Sequence, residues 1–128
     1  MCIRDSLSLD PKLRELGMCG VAVLNGAEYE FIHHAPPFKE AGGTQEQVEA
    51  LRLLGQSTFP KHLFGPIEQD AAELTLQMTR NIRVDPELMK RLHAELGNTA
   101  VVELVSVIAA YNMVSRFLIA LDVTPEDH

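Results

Sequence analysis

The chain of 128 residues contains no tryptophan, few aromatic residues (5%) and only two cysteines. A core with so few aromatic side chains must be aliphatic, and the hydrophobic content of 46% is high enough to build one. The length suits one domain and is too short for two of ordinary size. The formal net charge is −7, with no basic cluster to offset it. This charge argues against nucleic acids and anionic membranes as partners.

The two cysteines, Cys2 and Cys19, form neither a disulfide framework nor a C-x-x-C pair, and their spacing fits no zinc site. We therefore expect a protein of the reducing cytoplasm, without a metal or other cofactor. No apolar segment of the kind found in a signal peptide follows the first residues.

The chain divides into three unequal parts. Residues 1–6 (Met-Cys-Ile-Arg-Asp-Ser) resemble a leader that recurs in conceptual translations of environmental DNA. We expect residues 1–8 to be a non-native or disordered leader, with the true N-terminus and a first helix lost. Residues 9–123 are expected to form the helical domain, and residues 124–128 a tail.

Helix start and stop signals punctuate the whole chain, and no strand pattern or internal repeat is present. Aspartate followed by proline at positions 10–11 and 85–86, and Thr44 with Gln47 three residues on, predict helix N-termini. Pro36 and Pro37 are expected to bend or interrupt the second helix. The fold class is therefore all-α, with about six helices over residues 11–25, 27–41 (interrupted), 44–54, 67–81, 86–97 and 98–121.

The last predicted helix is apolar nearly all the way round between residues 101 and 121. It is long enough to suggest a membrane span, but Glu103, Asn112 and Arg116 would be costly in lipid. A central buried helix or a subunit-interface helix is the better interpretation. A large apolar patch on a chain of this size favours a homo-oligomer.

The most informative segment is residues 27–34, with the sequence Ala-Glu-Tyr-Glu-Phe-Ile-His-His. Glu30 and His34 are four residues apart, which places them on one face of a helix, one turn from each other. A carboxylate and an imidazole held in this way can share a proton, the minimum equipment for acid–base chemistry. A solvated ion pair on the helix surface would show the same spacing.

Residues 13–16, 25–34 and 41–44 resemble the carboxymuconolactone decarboxylase family, and residues 102–105 and 111–114 resemble the second half of its longer members. The resemblance implies an alkylhydroperoxidase D-like helical bundle. Alkylhydroperoxidase D carries a glutamate and a C-x-x-C-x-x-x-His motif, whose positions fall here on Glu15, Ala27, Glu30 and His34. Both thiols are therefore absent, and Cys19 lies on the preceding helix without a resolving partner. The decarboxylases keep a glutamate four residues before the histidine, as this chain does.

What the resemblance implies is an enzyme of the carboxy-lyase type, acting on a small carboxylated lactone or a related metabolite of aromatic catabolism. The expected catalytic residues are Glu15, Glu30 and His34. In this hypothesis His34 delivers a proton, Glu30 orients its ring, and Glu15 is a second proton relay. Tyr29 is a candidate for substrate binding, although its position also fits a core residue. Arg14 or Arg52 could hold a substrate carboxylate, and the sequence selects neither of the two.

Three alternatives remain open at this point. The first is an alkylhydroperoxidase-like peroxidase working through Cys19, which the absence of the C-x-x-C cysteines disfavours. The second is a metal site formed by Glu15, Glu30, His33 and His34, since imidazole and carboxylate suit several divalent ions. The third is a non-catalytic oligomeric binding protein. For any of these, the resemblance implies a trimer or a hexamer.

Overall fold

The computed structural model describes residues 9–123, which form five α-helices and contain no strand. The helices are α1 (Pro11–Asn25), α2 (Glu28–Glu40), α3 (Gln45–Leu51), α4 (Pro66–Arg80) and α5 (Pro86–Ala120), with a short 3₁₀ helix at Lys61–Leu63. This confirms the predicted all-α fold. The predicted leader and tail lie outside the described residues.

The N-termini of α1, α3 and α5 are capped by the residues that the sequence indicates. The Asp10 side chain accepts a hydrogen bond from the backbone N–H of Lys12 at the start of α1. Thr44 and Gln47 form the predicted capping box at the start of α3. Such caps satisfy backbone donors that have no partner inside the helix. The predicted stop at Gly97 is also present, because this residue has a φ of 81° that interrupts the helical backbone of α5.

The predicted interruption of the second helix at the two prolines is wrong. Helix α2 continues through Pro36 and Pro37 to Glu40. A proline removes one backbone hydrogen-bond donor, but its fixed φ of about −65° is compatible with the helical conformation. Phe38, in the turn that follows, is fully buried. Packing of the last turn of α2 therefore outweighs the hydrogen bonds that the prolines remove.

Helix α1 lies at the centre of the fold and packs against α2, α4 and α5. Nine of its residues are buried, including Glu15. Its contact with α4 depends on Gly20, where an added Cβ would lie 2.9 Å from Cγ2 of Thr75. Because glycine has no Cβ, the backbones of α1 and α4 can approach each other closely at this point.

Helix α5 is buried on one side only. Leu104 and Ile108 are fully buried, whereas several large apolar side chains of the same helix and its C-cap are exposed: Val102, Met113, Phe117, Ile119 and Leu121. The prediction of a central buried helix therefore holds for one face. By length and composition alone α5 could cross a membrane, as many core helices of soluble proteins also could.

The contact at Gly20 predicts opposite effects for two similar substitutions in α1. Alanine normally stabilises a helix interior relative to glycine, by roughly 0.5–1 kcal/mol. At Gly17 the added Cβ meets its nearest neighbour at 3.4 Å and fits. At Gly20 it collides with Thr75, whose hydroxyl is held by the carbonyl of Ala71. We expect Gly20→Ala to lower the free energy of unfolding by about 1–3 kcal/mol relative to Gly17→Ala. Urea denaturation of both variants measures this, and equal stabilities would contradict the packing.

Candidate active site

A buried ion pair joins the first two helices. Glu15 on α1 is 1% exposed, and its Oε1 lies 2.8 Å from Nδ1 of His34 on α2. The other carboxylate oxygen, Oε2, accepts a hydrogen bond of 3.2 Å from Nε of Arg14. Glu15 and His34 are 19 positions apart in the sequence, and the contact between α1 and α2 brings them together.

The charge of Glu15 determines how the imidazole is protonated. Burial alone raises the pKa of the Glu15 carboxyl, but the hydrogen bonds from His34 and Arg14 outweigh burial and hold this pKa below its ordinary value of 4.5. At neutral pH Glu15 is therefore a carboxylate, which can only accept hydrogen bonds. It follows that Nδ1 of His34 carries a proton and donates it to Glu15.

The second ring nitrogen of His34 also has a partner. The hydroxyl of Tyr111, on α5, lies 2.9 Å from Nε2. The two rings meet edge to face, with centroids 4.9 Å apart and an interplanar angle of 89°. Three helices therefore contribute to one chain of hydrogen bonds, from Glu15 through His34 to Tyr111.

The predicted hydrogen bond between Glu30 and His34 is not made. Glu30 is 4% exposed, and neither of its carboxylate oxygens has a hydrogen-bond partner. Because both ring nitrogens of His34 are already engaged, by Glu15 and Tyr111, the role of orienting the ring passes from Glu30 to Glu15. Helical spacing placed Glu30 and His34 on one side of α2, but it did not show which carboxylate the imidazole meets.

Burial makes the carboxyl of Glu30 a weaker acid than usual. It raises the pKa of the Glu30 carboxyl from 4.5 to about 7, against the opposing effect of the charge on His34. A buried carboxyl without a partner costs folding free energy, since most buried polar groups are hydrogen-bonded. Such a group, able to hold or release a proton near neutral pH, is typical of functional sites.

A groove of about 260 Å³ runs between the first turn of α2 and the end of α5. Its lining includes Tyr29 and Glu30 on one side and Leu118 and Ile119 on the other. A larger groove of about 590 Å³ lies elsewhere and contains the exposed ion pair of Asp70 and Arg91. We assign the site to the smaller groove because Glu30, whose carboxyl is buried, is one of its lining residues.

The other predicted site residues lie around the groove and the Glu15–His34 ion pair. Tyr29 is half-buried and lines the groove, so its interpretation as a core residue is wrong. Its ring contacts that of the exposed His33 at a centroid distance of 4.5 Å. Arg14 is engaged with Glu15 through its Nε. Within residues 9–123, no group of three or more histidine, cysteine, aspartate or glutamate side chains is arranged to hold a metal ion.

Cys19 is fully buried in α1. Burial, with a smaller contribution from the negative charge of Glu15, raises the pKa of its thiol from 9.0 to about 12. The thiolate is the reactive form of cysteine, and it is therefore almost absent at neutral pH. The geometry argues against the thiol chemistry of the peroxidase alternative.

The comparison with protein families gives one match. The model of the carboxymuconolactone decarboxylase family matches residues 4–77, more than half of the chain. The protein therefore belongs to the carboxymuconolactone decarboxylase family. Neither the comparison with curated proteins nor that with solved structures gives a match. The matched region contains Glu15, Glu30 and His34, whereas Tyr111 lies beyond it.

Tyr111 is the residue of this site that the sequence analysis did not select. One signal was available in the sequence. The chain has only two tyrosines, and this one lies in the apolar stretch of α5. Because a buried tyrosine hydroxyl usually requires a partner, a tyrosine in such a helix indicates a polar contact.

The pKa of Glu30 predicts a specific pH dependence of stability. The folded state binds the Glu30 proton more tightly than the unfolded state. The contribution of this proton to the free energy of unfolding is therefore complete below pH 4.5 and is lost as the pH rises through about 7. This shift corresponds to a loss of roughly 3 kcal/mol. We expect Glu30→Gln to remove that loss, which denaturation of wild type and variant between pH 4.5 and 8 measures. Parallel curves for the two proteins would contradict the assignment.

Proposed function

We propose that this protein is an acid–base enzyme that removes CO₂ from a small carboxylated lactone or a related metabolite of aromatic catabolism. The observation that carries the proposal is the pairing of Glu15 with His34 next to a buried Glu30 that has no hydrogen-bond partner. Membership of the carboxymuconolactone decarboxylase family supports the reaction class. A groove of about 260 Å³ suits a small molecule.

The proposed reaction requires one proton at carbon. The bond between the ring carbon and the carboxylate carbon breaks, CO₂ leaves, and the electron pair remains on the ring carbon, conjugated with the lactone carbonyl. A proton from Glu30 or His34 then forms the new C–H bond, and solvent returns a proton to the donor. A carboxyl with a pKa of about 7 is well matched to this task at neutral pH.

Glu15 supports the reaction through its charge. As a buried carboxylate, it accepts the hydrogen bond from Nδ1–H of His34 and holds the imidazole in place. Arg14 neutralises the other side of the same carboxylate. Tyr29, which lines the groove, can donate a hydrogen bond to the substrate.

We propose further that the protein is cytoplasmic and forms a homo-oligomer, a trimer or hexamer as the family resemblance implies. The exposed apolar side chains of α5 and its C-cap support this assembly, because such patches mark interfaces. We define the α5 patch as Val102, Met113, Phe117, Ile119 and Leu121. The net charge of −7 supports a small-molecule substrate and disfavours nucleic acid or membrane partners.

Mutation of the predicted site should abolish turnover without unfolding the protein. We expect His34→Ala and Glu30→Gln each to lower kcat/KM by about 10²–10⁴-fold, the usual contribution of a positioned acid or base. The assay is CO₂ release from a panel of carboxylated five-membered lactones, with circular dichroism to confirm the helical fold.

His33→Ala is the matched control, because this neighbouring imidazole is exposed and outside the hydrogen-bond chain. It should keep the wild-type rate. Full activity of His34→Ala would refute the assigned roles. Absence of CO₂ release from every lactone, together with a stable complex with another protein, would favour the non-catalytic alternative.

The proposed assembly is tested by placing a charge on the α5 patch. Phe117 is 64% exposed in the single chain, so Phe117→Glu should leave the fold intact while opposing burial of this face between subunits. We expect light scattering to report an oligomer for the wild type and a smaller species for the variant. Ile82→Glu is the control, since Ile82 is also exposed but lies between α4 and α5, outside the patch. A monomeric wild type would contradict the proposal.

A further inference from the structure

The contact between Tyr111 and His34 gives α5 a part in the site. Tyr111 lies outside residues 4–77, the region that matches the family model. It nevertheless reaches across 77 residues of sequence to place its hydroxyl 2.9 Å from Nε2 of His34. The perpendicular ring contact, at 4.9 Å between centroids, fixes the plane of the imidazole as well.

The imidazole is engaged at both nitrogens in either protonation state. Nδ1 donates its hydrogen to the Glu15 carboxylate. When the ring is neutral, Nε2 accepts a hydrogen bond from the Tyr111 hydroxyl; when it is protonated, Nε2–H donates to the phenol oxygen. A substrate that approached Nε2 would therefore have to displace Tyr111.

Glu30 presents the opposite situation. Both of its carboxylate oxygens are buried and without a hydrogen-bond partner, and the residue lines the groove between α2 and α5. The lining of that groove includes neither His34 nor Tyr111. Of the two groups able to exchange a proton, Glu30 is the one with hydrogen-bonding capacity left for a ligand.

We propose that Tyr111 is a positioning residue that occupies Nε2 of His34, so that Glu30, and not His34, is the group that contacts the substrate. In this division of roles, Glu15 and Tyr111 hold the imidazole in place. His34 then stabilises the Glu30 carboxylate electrostatically after the proton has left. This inference rests on the proposed decarboxylation for its kinetic consequence, but the hydrogen bond itself can be measured without a substrate.

The test is Tyr111→Phe, which keeps the ring contact and removes only the hydroxyl. We expect the ¹⁵N resonance of His34 Nε2 to move toward that of a nitrogen without a hydrogen bond, while Nδ1 keeps the resonance of a protonated nitrogen. With a turned-over lactone, kcat should fall about tenfold, the effect of losing one hydrogen bond, and KM should stay unchanged. A purely structural role would lower the stability of the protein without a selective loss of kcat.

Tyr29→Phe is the spectroscopic control, because it removes the hydroxyl of the other tyrosine, whose ring contacts His33. It should leave the Nε2 resonance of His34 in place. If Tyr111→Phe fails to fold, the ¹⁵N spectrum of the wild type is the test. A His34 Nε2 resonance typical of a nitrogen without a hydrogen bond would overturn the proposal. An unchanged Nε2 resonance in Tyr111→Phe would also overturn it. A shifted resonance in a protein that releases no CO₂ from any lactone would support the contact and reject the proposed function.

Discussion

The buried carboxylate of Glu15 is the interaction on which the rest of the structure depends. A charge in the centre of a helical bundle is costly unless it is paired and hydrogen-bonded. Here His34 from α2 and Arg14 from α1 provide that compensation. Since α1 packs against α2, α4 and α5, satisfying this one carboxylate also sets how α2 lies on the core. The fold and the candidate site therefore share a single requirement.

Two glutamates within one site are shifted in opposite directions by their surroundings. Glu15 has hydrogen-bond donors and a pKa below its ordinary value, whereas Glu30 has none and a pKa of about 7. Pairs of titratable groups whose environments push their pKa values apart usually mark an acid and its electrostatic partner. The two thiols of the peroxidases are absent here, and the proposed proton transfer uses carboxyl and imidazole groups instead. Cys19, deep in α1, is part of the buried core.

Local signals predicted most of the fold, because caps and stops act over a few residues. Asp10 and Thr44 cap helices where their spacing indicates, and Gly97 interrupts α5. The site was predicted less completely. The resemblance selected Glu15 and His34, but spacing within α2 assigned the imidazole to the wrong carboxylate. Helical periodicity describes one helix at a time, whereas hydrogen bonds between helices depend on how those helices pack. A tyrosine in the apolar stretch of α5 indicates a polar contact, but only the packed structure shows that the partner of Tyr111 is His34, 77 positions away in the sequence.

The rings of the two consecutive prolines in α2 fix the backbone φ angles in the turn after His34. Pro36 and Pro37 have no N–H, so the carbonyls four residues earlier, of Ile32 and His33, receive no hydrogen bond from the helix backbone. Both of these residues are exposed, which lets water hydrate their carbonyls. The pyrrolidine rings restrict the unfolded chain as well, and this smaller loss of entropy on folding partly offsets the missing bonds. Because two positions of this turn have no amide proton, hydrogen exchange can report its opening only through the flanking amides of Ala35 and Phe38.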